Sequence, residues 1–444
     1  MDWLLEIFNK HSSADAVVWH DRTATYGELL NRISVARDAL HFNSIAPGEV
    51  VLLDADFSPA AIAMLLALML HRAVVVPIAA HVVNLDREAH ARIAGASRRI
   101  LLTADDDYTF ERYPHTATHP LYTRLQAHPG LVLFSSGSTG EPRAALHDLT
   151  ALLQKFRTPR HTQRILTFLL FDHIGGFNSL LYALANHGCV ITVPARDPTT
   201  VCRAIARHRV EVLPTSPTFL NMLLISGEHT RHDLSSLRVI GYATEVMPPT
   251  LLKRLHAALP GVELRQNYGL SELGILRSQS RDDGSTWVRV GGEGYETRVV
   301  AGTLRIRATS SMLGYLNAPD PFDADGWFDT QDEVEVDGEW LRFLGRRSEV
   351  INVGGEKVYP ADVEAVILEL EEIADVTVSK EPHPFTGNIV VAEVRPHTPG
   401  DPAALIKRVR THCFARLPTF KVPVKIRVTD AARVTDRFKK SRRD

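Results

Sequence analysis

The stretch that most constrains this chain runs from Leu131 to Arg143 and reads LVLFSSGSTGEPR. Its apolar start, Leu131 to Phe134, predicts the end of a buried strand. The loop that follows, Ser135 to Gly140, contains only serine, threonine and glycine. Glycine lets the backbone approach a ligand closely, and the hydroxyl and N–H groups are donors suited to phosphate oxygens. The loop is therefore predicted to bind phosphate, although it lacks the G-x-x-x-x-G-K-S/T spacing of a Walker A loop.

The composition is that of a soluble globular protein with more than one core. The 444 residues exceed one ordinary domain, and 45% are hydrophobic while 23% are charged. A formal net charge of −2 argues against a strong overall attraction to nucleic acid or to an anionic membrane. The longest apolar run, Ala60 to Leu70, is too short to cross a bilayer and predicts a core helix.

Cysteine usage and the N-terminus favour a reducing compartment. Cys189, Cys202 and Cys413 form no C-x-x-C pair, and an odd number cannot all be joined in disulfides. This argues against a zinc site. The first residues, MDWLLEIF, carry acids where a signal peptide would carry bases. We therefore expect a cytoplasmic protein with no nucleic-acid partner and no membrane span.

Strand and helix patterns alternate in the first 130 residues. Residues 49–54 indicate a strand, the apolar run after them a helix, and residues 73–78 a β-branched strand. Strand, helix and strand in this order predict a parallel sheet with right-handed crossovers. A further apolar run over 165–171 also indicates a strand, which would end at Asp172 and His173.

The later part of the chain has a different pattern. Residues 287–345 show short alternating runs, which predict the antiparallel strands of a small barrel. From Pro360 onward the patterns predict a small α+β domain. Its elements are expected to be helices over 362–372 and 402–416 and strands over 374–379, 389–395 and 424–428.

The block SSGSTGEPR, Ser135 to Arg143, resembles the phosphate loop of the adenylate-forming superfamily, which includes acyl-CoA synthetases, aryl-CoA ligases, luciferases and the adenylation domains of peptide synthetases. Further blocks follow in that family's order, so the resemblance covers nearly the whole chain. It implies a large N-terminal domain over 1–346, made of parallel-sheet α/β subdomains and a small β-barrel at about 287–345. A small, mobile α+β C-terminal domain over 347–444 is expected to follow.

The resemblance implies that several blocks bind ATP and Mg²⁺ together. The block QNYGLSE is similar to the family's Tyr-Gly-x-Thr-Glu, which implies that Tyr268 stacks on adenine and that Asn267 contacts its edge. Glu272 is then a hard oxygen ligand for Mg²⁺. The block GWFDTQD resembles Trp-x-x-Thr-Gly-Asp, whose aspartate accepts from both ribose hydroxyls. The full set assigned to ATP or AMP is Ser135, Ser136, Gly137, Ser138, Thr139, Gly140, Gly241, Tyr242, Ala243, Asn267, Tyr268, Gly269, Ser271, Asp332 and Arg346.

The basic tail carries the lysine that the resemblance makes catalytic. Residues 435–442, TDRFKKSR, overlay the family's Thr-x-x-Gly-Lys-x-x-Arg, which places Lys439 in the active site and leaves Lys440 as the alternative if the register slips by one. A solvated basic tail is the plain alternative. The residues expected to act in catalysis are Thr139, Arg143, Glu272 and Lys439.

Five positions depart from the family's blocks. Arg143 replaces a lysine, which keeps the charge but changes its reach, and Ser271 replaces a threonine. Gln331 and Phe438 replace glycines, so the local turns are expected to differ. Ser348 falls on the hinge position, which is usually Asp or Lys. Four of these departures, at Arg143, Gln331, Ser348 and Phe438, also leave open the alternative that the protein is a pseudoenzyme that binds a nucleotide without catalysis.

The sequence HIGG from His173 resembles a His-x-x-Gly motif that lines the acyl pocket of acyl-CoA ligases. A histidine that only packs a loop is the alternative. Asp172 raises a second alternative, because amino-acid-activating relatives use an aspartate near this point to hold the substrate's amine. The expected acyl pocket consists of His173, Phe177, Gly241, Ala243 and Asn267.

The block from Phe343 to Glu364 resembles the family's hinge and the glycine-rich loop after it. Ser348 is the expected hinge, about which the small domain would rotate. Gly354 and Gly355 would let a thiol arm pass close to the backbone, with Lys357 beside them.

The expected reaction is ATP-dependent activation of a small carboxylic acid to an acyl-adenylate with release of pyrophosphate. The acyl group would then pass to a thiol, either CoA or the phosphopantetheine of an acyl or peptidyl carrier protein. No carrier or condensation domain adjoins these blocks, so a free-standing acid–thiol ligase is expected. Transfer to an amine is the alternative acceptor chemistry, and the identity of the acid is not readable from the sequence.

Overall fold

The computed structural model describes residues 1–80, 82, 85–135, 142–282, 284–430, 435, 438 and 440. None of the helices in this part of the chain has the length and apolar character that a bilayer crossing requires. In chain order the helices are α1 (Asp2–Lys10), α2 (Tyr26–Phe42), α3 (Pro59–Leu70), α4 (Arg87–Ala94), α5 (Leu149–Leu153), α6 (Ile174–Ala185), α7 (Pro198–His208), α8 (Pro217–Ser226), α9 (Pro249–Ala258), α10 (Pro360–Ile367) and α11 (Pro402–Arg416).

The strands form four sheets. In chain order they are β1 (Asp15–Trp19), β2 (Arg22–Thr25), β3 (Val50–Ala55), β4 (Val74–Ala79), β5 (Arg98–Leu102), β6 (Tyr108–Arg112), β7 (Gly130–Ser135), β8 (Arg143–Asp148), β9 (Arg164–Leu166), β10 (Cys189–Ile191), β11 (Val212–Thr215), β12 (Val239–Tyr242), β13 (Glu263–Gln266), β14 (Tyr268–Leu270), β15 (Gly274–Ser280), β16 (Trp287–Gly291), β17 (Tyr295–Val300), β18 (Thr303–Ala308), β19 (Gly314–Tyr315), β20 (Phe328–Asp337), β21 (Trp340–Arg346), β22 (Ile351–Val353), β23 (Glu356–Val358), β24 (Ile373–His383), β25 (Gly387–Pro396) and β26 (Lys425–Val428).

Two seven-stranded sheets with parallel centres make up the first part of the chain. One, named the nucleotide-side sheet because it carries Gly241, which is predicted to bind nucleotide, has the order β13, β12, β11, β9, β10, β1 and β2. Its strands are parallel except for the β1–β2 pair. The loop-side sheet has the order β19, β8, β7, β4, β3, β5 and β6, with parallel pairing among β7, β4, β3 and β5. The predicted parallel α/β architecture is confirmed.

The helix predicted from the longest apolar run is α3. The Ser58 hydroxyl accepts from the Ala61 N–H and so caps its N-terminus, and Pro59 takes the first turn, where its missing N–H costs nothing. Every residue from Pro59 to Met69 is buried, which explains why the run has no polar face. The helix connects β3 to its parallel neighbour β4, and it lies in the largest hydrophobic core.

An antiparallel sheet of seven strands follows, in the order β14, β15, β16, β21, β20, β18 and β17. The antiparallel character predicted for residues 287–345 is confirmed, but the sheet begins earlier, at Tyr268. Since β14 follows β13 after Asn267 alone, the chain passes at that residue directly from the nucleotide-side sheet into the antiparallel sheet.

The last sheet has the order β23, β22, β25 and β24, with β26 pairing β25 in parallel. Helices α10 and α11 pack on it through buried residues such as Val363 and Val409, so the predicted α+β arrangement is confirmed. The helix predicted over 362–372 is shorter, since α10 ends at Ile367 and β24 begins at Ile373. The chain leaves the antiparallel sheet at Arg346 and enters this sheet at Ile351, next to the predicted domain boundary, which remains a prediction.

The strand predicted over 165–171 is wrong beyond Leu166, where β9 ends. The Thr167 N–H still bonds the Ile191 carbonyl, and the chain then turns away from the sheet. Phe168 and Phe171 enter two different hydrophobic cores, so the apolar run reflects burial on both sides and not one continuous strand.

Candidate active site

The junction between the nucleotide-side and antiparallel sheets places Asn267 against the end of β12. The Asn267 N–H donates to the Tyr242 carbonyl at 2.8 Å. A Cβ at Gly241 would lie 2.5 Å from the Asn267 side-chain nitrogen, so glycine is needed there for the amide to approach the backbone. The Ala243 N–H donates to the Thr215 carbonyl at 3.2 Å, which fixes the chain beyond β12. The carboxyl ends of parallel strands are where α/β sheets bind ligands.

Tyr242, which was predicted to line the site, is fully buried in the core of the nucleotide-side sheet. Burial raises the pKa of its hydroxyl, and its role is that of a core side chain. Gly269 lies on β14, where a Cβ would come within 2.4 Å of the Ile275 side chain. Gly241, Ala243 and Asn267 therefore lie together at the carboxyl end of β12.

Tyr268 and Asp332 join β14 to β20. The Tyr268 hydroxyl donates to Asp332 Oδ2 at 2.6 Å, and its ring stacks on Phe343 at 4.7 Å between centroids with an interplanar angle of 16°. One face of Tyr268 is thus covered by Phe343, a contact that the sequence did not reveal. Burial, with the neighbouring Asp332 carboxylate, raises the pKa of Tyr268 well above its ordinary value.

Arg346 lies on the other side of Asp332. Its Nε is 3.4 Å from Asp332 Oδ1, and the arginine side chain is 54% exposed while the aspartate is nearly buried. Burial raises the pKa of Asp332, although Arg346 and Tyr268 act in the opposite direction. Partial desolvation of the half-exposed Arg346 opposes its charge, but Asp332, Tyr268 and Glu272 together raise its pKa. The guanidinium therefore interacts electrostatically with the carboxylates of both Asp332 and Glu272.

Gln331, at the position of a family glycine, adopts φ +62°, the left-handed conformation that glycine favours. The Gln331 N–H donates to Asp329 Oδ1 at 3.0 Å, and the Asp332 N–H donates to Thr330 Oγ1 at 3.1 Å. The turn before Asp332 therefore keeps a left-handed residue without glycine.

Glu272 lies beside the residues that flank the phosphate loop. The Tyr315 hydroxyl donates to Glu272 Oε1 at 2.6 Å, and the Arg143 guanidinium lies 5.7 Å from the centre of the Tyr315 ring. Burial, together with Glu272, raises the pKa of Tyr315. Ser135 ends β7 and pairs with Arg143, the first residue of β8. Ser136 to Gly140, including Thr139, lie outside the described residues, so their predicted roles stay predictions.

His147 and Asn317 hold this corner of the site and carry no motif that could have revealed them. His147 is fully buried, and its Nε2 is 2.6 Å from the Ser271 carbonyl, one residue before Glu272. Burial lowers the pKa of His147 to about 4, so the ring is neutral near pH 7. The Asn317 amide donates to the Pro142 carbonyl at 2.8 Å and accepts from the Ala144 N–H at 3.0 Å, clasping the chain around Arg143.

A magnesium ion bound with ATP fits Glu272. Mg²⁺ is usually held through one or two carboxylates together with substrate phosphates, and not in an all-protein cage. Tyr315 uses one oxygen of the half-buried Glu272 carboxylate, which orients the group beside Arg143. Within the described ranges, no cluster of three or more His, Cys, Asp or Glu side chains could hold a metal ion on its own.

Two residues of the predicted acyl pocket, His173 and Phe177, lie at the start of α6. His173 caps this helix, and its Nδ1 accepts from the Gly175 N–H at 3.0 Å. A Cβ at Gly176 would lie 2.1 Å from the Leu170 carbonyl oxygen, so this glycine is required by packing. Phe177 is 3% exposed and belongs to the largest core. His-x-x-Gly thus has a local structural role, and the pocket assignment and the Asp172 alternative remain predictions.

The hinge and thiol-arm residues lie in the region between the antiparallel sheet and the last sheet. Ser348 lies in a 3₁₀ turn (Arg347–Glu349), exposed between β21 and β22. Gly354 and Gly355 form the turn between β22 and β23 with φ of +59° and +92°. The Lys357 ammonium lies 2.9 Å from Glu333 Oε1 on β20, and its assignment to a thiol arm remains a prediction.

Lys439 lies outside the described residues, but Lys440 is described. The Lys440 ammonium donates to the Val376 carbonyl at 2.7 Å and lies 3.3 Å from Glu364 Oε2. These partners belong to the last sheet and to α10, not to the Asp332–Glu272 region. The Lys440 ammonium is thus paired with groups of the last sheet and α10, and both the Lys439 assignment and the Lys440 alternative remain predictions.

The chain is similar to known protein families and to individual proteins over most of its length. The AMP-binding enzyme family matches residues 5–302, and the AMP-binding enzyme C-terminal domain matches residues 362–439. A Mycobacterium tuberculosis CoA ligase, whose propanoyl substrate carries a methyl-dioxo-octahydroindenyl ring, is 32% identical over 319 residues, 67% of this chain and 62% of that protein. The chain spans about six-tenths of the length of the curated relatives that it matches first.

The fold is that of solved structures with low sequence identity. An anthranilate CoA ligase in complex with anthranoyl-AMP superposes with a TM-score of 0.82 at 21% identity, covering 97% of this chain and 94% of that one. An amide bond synthetase from Marinactinospora thermotolerans gives a TM-score of 0.80 at 21% identity, covering 99% and 97%. The two domain matches run in the same order as the blocks of the sequence. The chain belongs to the AMP-binding enzyme family, within the adenylate-forming superfamily that its phosphate loop resembles.

Proposed function

We propose that this protein activates a carboxylic acid with ATP as an acyl-adenylate, releases pyrophosphate, and passes the acyl group to a thiol. The observation that carries the proposal is the position of Arg346. Its guanidinium lies 3.4 Å from Asp332, and the charge of Glu272 also raises its pKa, so one cation interacts with both the carboxylate proposed to bind ribose and the carboxylate proposed to lie beside the phosphates. The ribose and the phosphates of ATP are neighbouring groups too, so one ATP molecule could contact both carboxylates.

The residues would act mainly by positioning and by neutralising charge, because a carboxylate and a triphosphate repel each other. Asp332, held by Tyr268 and Arg346, would accept hydrogen bonds from the ribose hydroxyls. Arg143 and Glu272 would hold the phosphate end, where Mg²⁺ offsets negative charge. Lys439 would approach the carboxylate and the α-phosphate as pyrophosphate leaves. Rotation of the small domain about Ser348 would then admit the acceptor.

The acid is proposed to carry a ring. Two of the compared proteins, a CoA ligase for a bicyclic propanoate and an anthranilate CoA ligase, act on such acids. A panel of aryl, aryl-acetic and bicyclic acids is the first set to assay.

The acceptor is proposed to be CoA or a carrier-protein phosphopantetheine. The turn of Gly354 and Gly355 is exposed, and the Gly354 N–H donates to the Thr386 carbonyl at 2.9 Å. Phe385, next to Thr386, is 91% exposed, so an aromatic face lies beside the turn. The similarity in fold to an amide bond synthetase favours an amine as the second candidate acceptor. Incubating the enzyme with ATP, an acid and either CoA, a pantetheinylated carrier or free amines, followed by mass spectrometry, discriminates them.

The proposal predicts that Glu272→Gln lowers kcat for pyrophosphate release on the order of a hundredfold. The change removes the negative charge that holds Mg²⁺ but keeps an oxygen that can accept from Tyr315. Raising the Mg²⁺ concentration should recover part of the rate.

The matched control is Glu339→Gln, an exposed carboxylate that pairs with Arg289 on the surface of the antiparallel sheet. It should behave as wild type. Equal rates for the Glu272 variant and wild type would remove Glu272 from the phosphate site.

A further inference from the structure

Phe438, in the position of a family glycine, is packed against the N-terminal domain. Its ring lies 5.0 Å from the ring of Phe168 and 5.9 Å from that of Phe219, both in the core of the nucleotide-side sheet. Its φ is +52°, a conformation that is costly for a bulky side chain and persists only where the surroundings favour it. The Phe438 N–H closes a turn by donating to the Thr435 carbonyl at 2.9 Å.

Two polar contacts attach the same backbone to the N-terminal domain. The Ser216 hydroxyl donates to the Phe438 carbonyl at 2.6 Å, and the Lys440 N–H donates to Glu245 Oε1 at 2.5 Å. The second oxygen of Glu245 is held by the Thr218 hydroxyl at 2.6 Å. Ser216 and Glu245 follow the carboxyl ends of β11 and β12, so these contacts lie at the edge that carries Gly241 and Ala243.

The side chain of Lys440 points the other way, into the last sheet. Its ammonium donates to the Val376 carbonyl at 2.7 Å and lies 3.3 Å from Glu364 and 3.6 Å from Asp375. The lysine and both carboxylates are at least 88% buried, and a buried charge is tolerated only when it is paired and hydrogen-bonded. Nearby, the Asn221 amide donates from α8 to the Ala374 carbonyl at 3.0 Å, across the same boundary.

We propose that Phe438 and Lys440 are positioning residues that anchor the C-terminal segment across both domains and hold Lys439, the residue between them, for the adenylation half-reaction. This rests on the proposed function. Phe438 and the Lys440 backbone bind the N-terminal domain, while the Lys440 ammonium binds the C-terminal domain. Domain rotation breaks these contacts, so the anchor favours acid activation and opposes acyl transfer. Phe438 supplies apolar contact that a glycine cannot.

The test separates the two half-reactions. Acid-dependent exchange of pyrophosphate into ATP reports activation, and transfer from chemically supplied acyl-adenylate to CoA reports the second step. Phe438→Gly should lower kcat for exchange by about tenfold or more, which corresponds to about 1.4 kcal/mol, with little change in KM for ATP. Transfer should be unchanged or faster. Phe438→Gly also relieves the unfavourable φ. A fall in the rate of pyrophosphate exchange would therefore not be due to backbone strain that prevents folding.

Lys440→Met should show the same split between the half-reactions. Because Lys440 acts through Glu364, the double variant Lys440→Met/Glu364→Gln should lose no more exchange activity than Lys440→Met alone. Phe42→Gly and Lys380→Met, at exposed positions, are the matched controls and should resemble wild type. An equal loss in both half-reactions, or no loss in either, overturns the proposal.

A second measurement needs no substrate, so it distinguishes failure of this proposal from failure of the proposed function. Hydrogen–deuterium exchange of the peptide over 435–440 should be at least about tenfold faster in Phe438→Gly than in wild type, since the ring contact is lost. Exchange in α11 should not change. Equal protection of that peptide in both proteins rules out the anchor, whatever reaction the enzyme catalyses.

Discussion

Two residues, Gln331 and Phe438, show what single positions contribute. Both replace glycines of the family blocks, and the sequence suggested that the turns would differ there. Instead both keep the positive φ that glycine favours, +62° and +52°. Gln331 does so in an exposed turn next to Asp332, whereas Phe438 does so with its partly buried ring packed against a core. The same kind of substitution therefore has different consequences, which only the surrounding packing decides.

At Gln331 we predict that restoring glycine stabilises the protein. A non-glycine residue in the left-handed conformation destabilises the folded state by about 1–2 kcal/mol. Glycine removes this cost, but it also lowers stability by about 0.5–1 kcal/mol because it loses more conformational entropy on folding. Gln331→Gly should therefore raise the free energy of unfolding by about 0.5–1 kcal/mol, measured by urea denaturation.

The reverse substitution is the matched control. Gly338 has φ +61°, and a Cβ there would meet nothing within 4 Å, so Gly338→Gln should destabilise by a similar amount through the backbone alone. A less stable Gln331→Gly variant would show that the glutamine side chain makes a contact worth more than the strain.

Elements with a clear local signal were predictable from the sequence. The helix start at Thr25 is a capping box in which the Thr25 and Glu28 side chains each accept from the other's backbone. Helix α11 begins and ends where its pattern predicts, at Pro402 and Arg416. Helix α10 ends early because Ile373 must begin β24, which pairs with β25 from that residue onward. Such long-range pairing leaves no local pattern.

Contacts between elements were also out of reach of the sequence. His147, on β8, holds the Ser271 carbonyl in the turn between β14 and β15, far away along the chain. In the sequence it is one histidine after three apolar residues in the strand RAALHD. Phe343, which stacks on Tyr268, was likewise invisible, because only the sheet brings β21 beside β14. The motifs predicted a set of residues to bind ATP, but gave no sign of the residues that hold that set in place.

His147 predicts a pH dependence of stability. Its folded pKa is about 4 against the ordinary 6.5, so below about pH 6.5 the unfolded chain binds a proton that the folded chain does not. Stability should therefore fall as the pH drops from about 6.5 to about 4, by up to about 3 kcal/mol from this group. His147→Gln keeps a donor for the Ser271 carbonyl and removes the titration.

Urea denaturation at pH 5 and pH 7.5 checks this prediction. The difference in unfolding free energy between the two pH values should be smaller in His147→Gln than in wild type. The same difference in both proteins would show that His147 is protonated in the folded state or takes no part in acid sensitivity.

At the scale of the whole molecule, the family order of the blocks was enough to predict the sheets. The parallel sheets and the α+β domain appear where the sequence suggested, whereas the antiparallel sheet begins earlier than predicted, at Tyr268. What the sequence could not give is how the C-terminal domain lies on the rest. That arrangement depends on the Lys357–Glu333 pair, on the Asn221 bond to Ala374 and on Lys440, and these involve residues outside the blocks or with other predicted roles.

The central claim is that this arrangement activates an acid with ATP. The most direct measurement is release of pyrophosphate from ATP with a broad acid panel, for wild type beside Lys439→Ala. The account predicts release, with AMP as the partner product, only when a suitable acid is present, and its near loss in Lys439→Ala while ATP still binds. No acid-dependent release by the wild type would contradict the claim, and unchanged release in Lys439→Ala would remove that lysine from the mechanism.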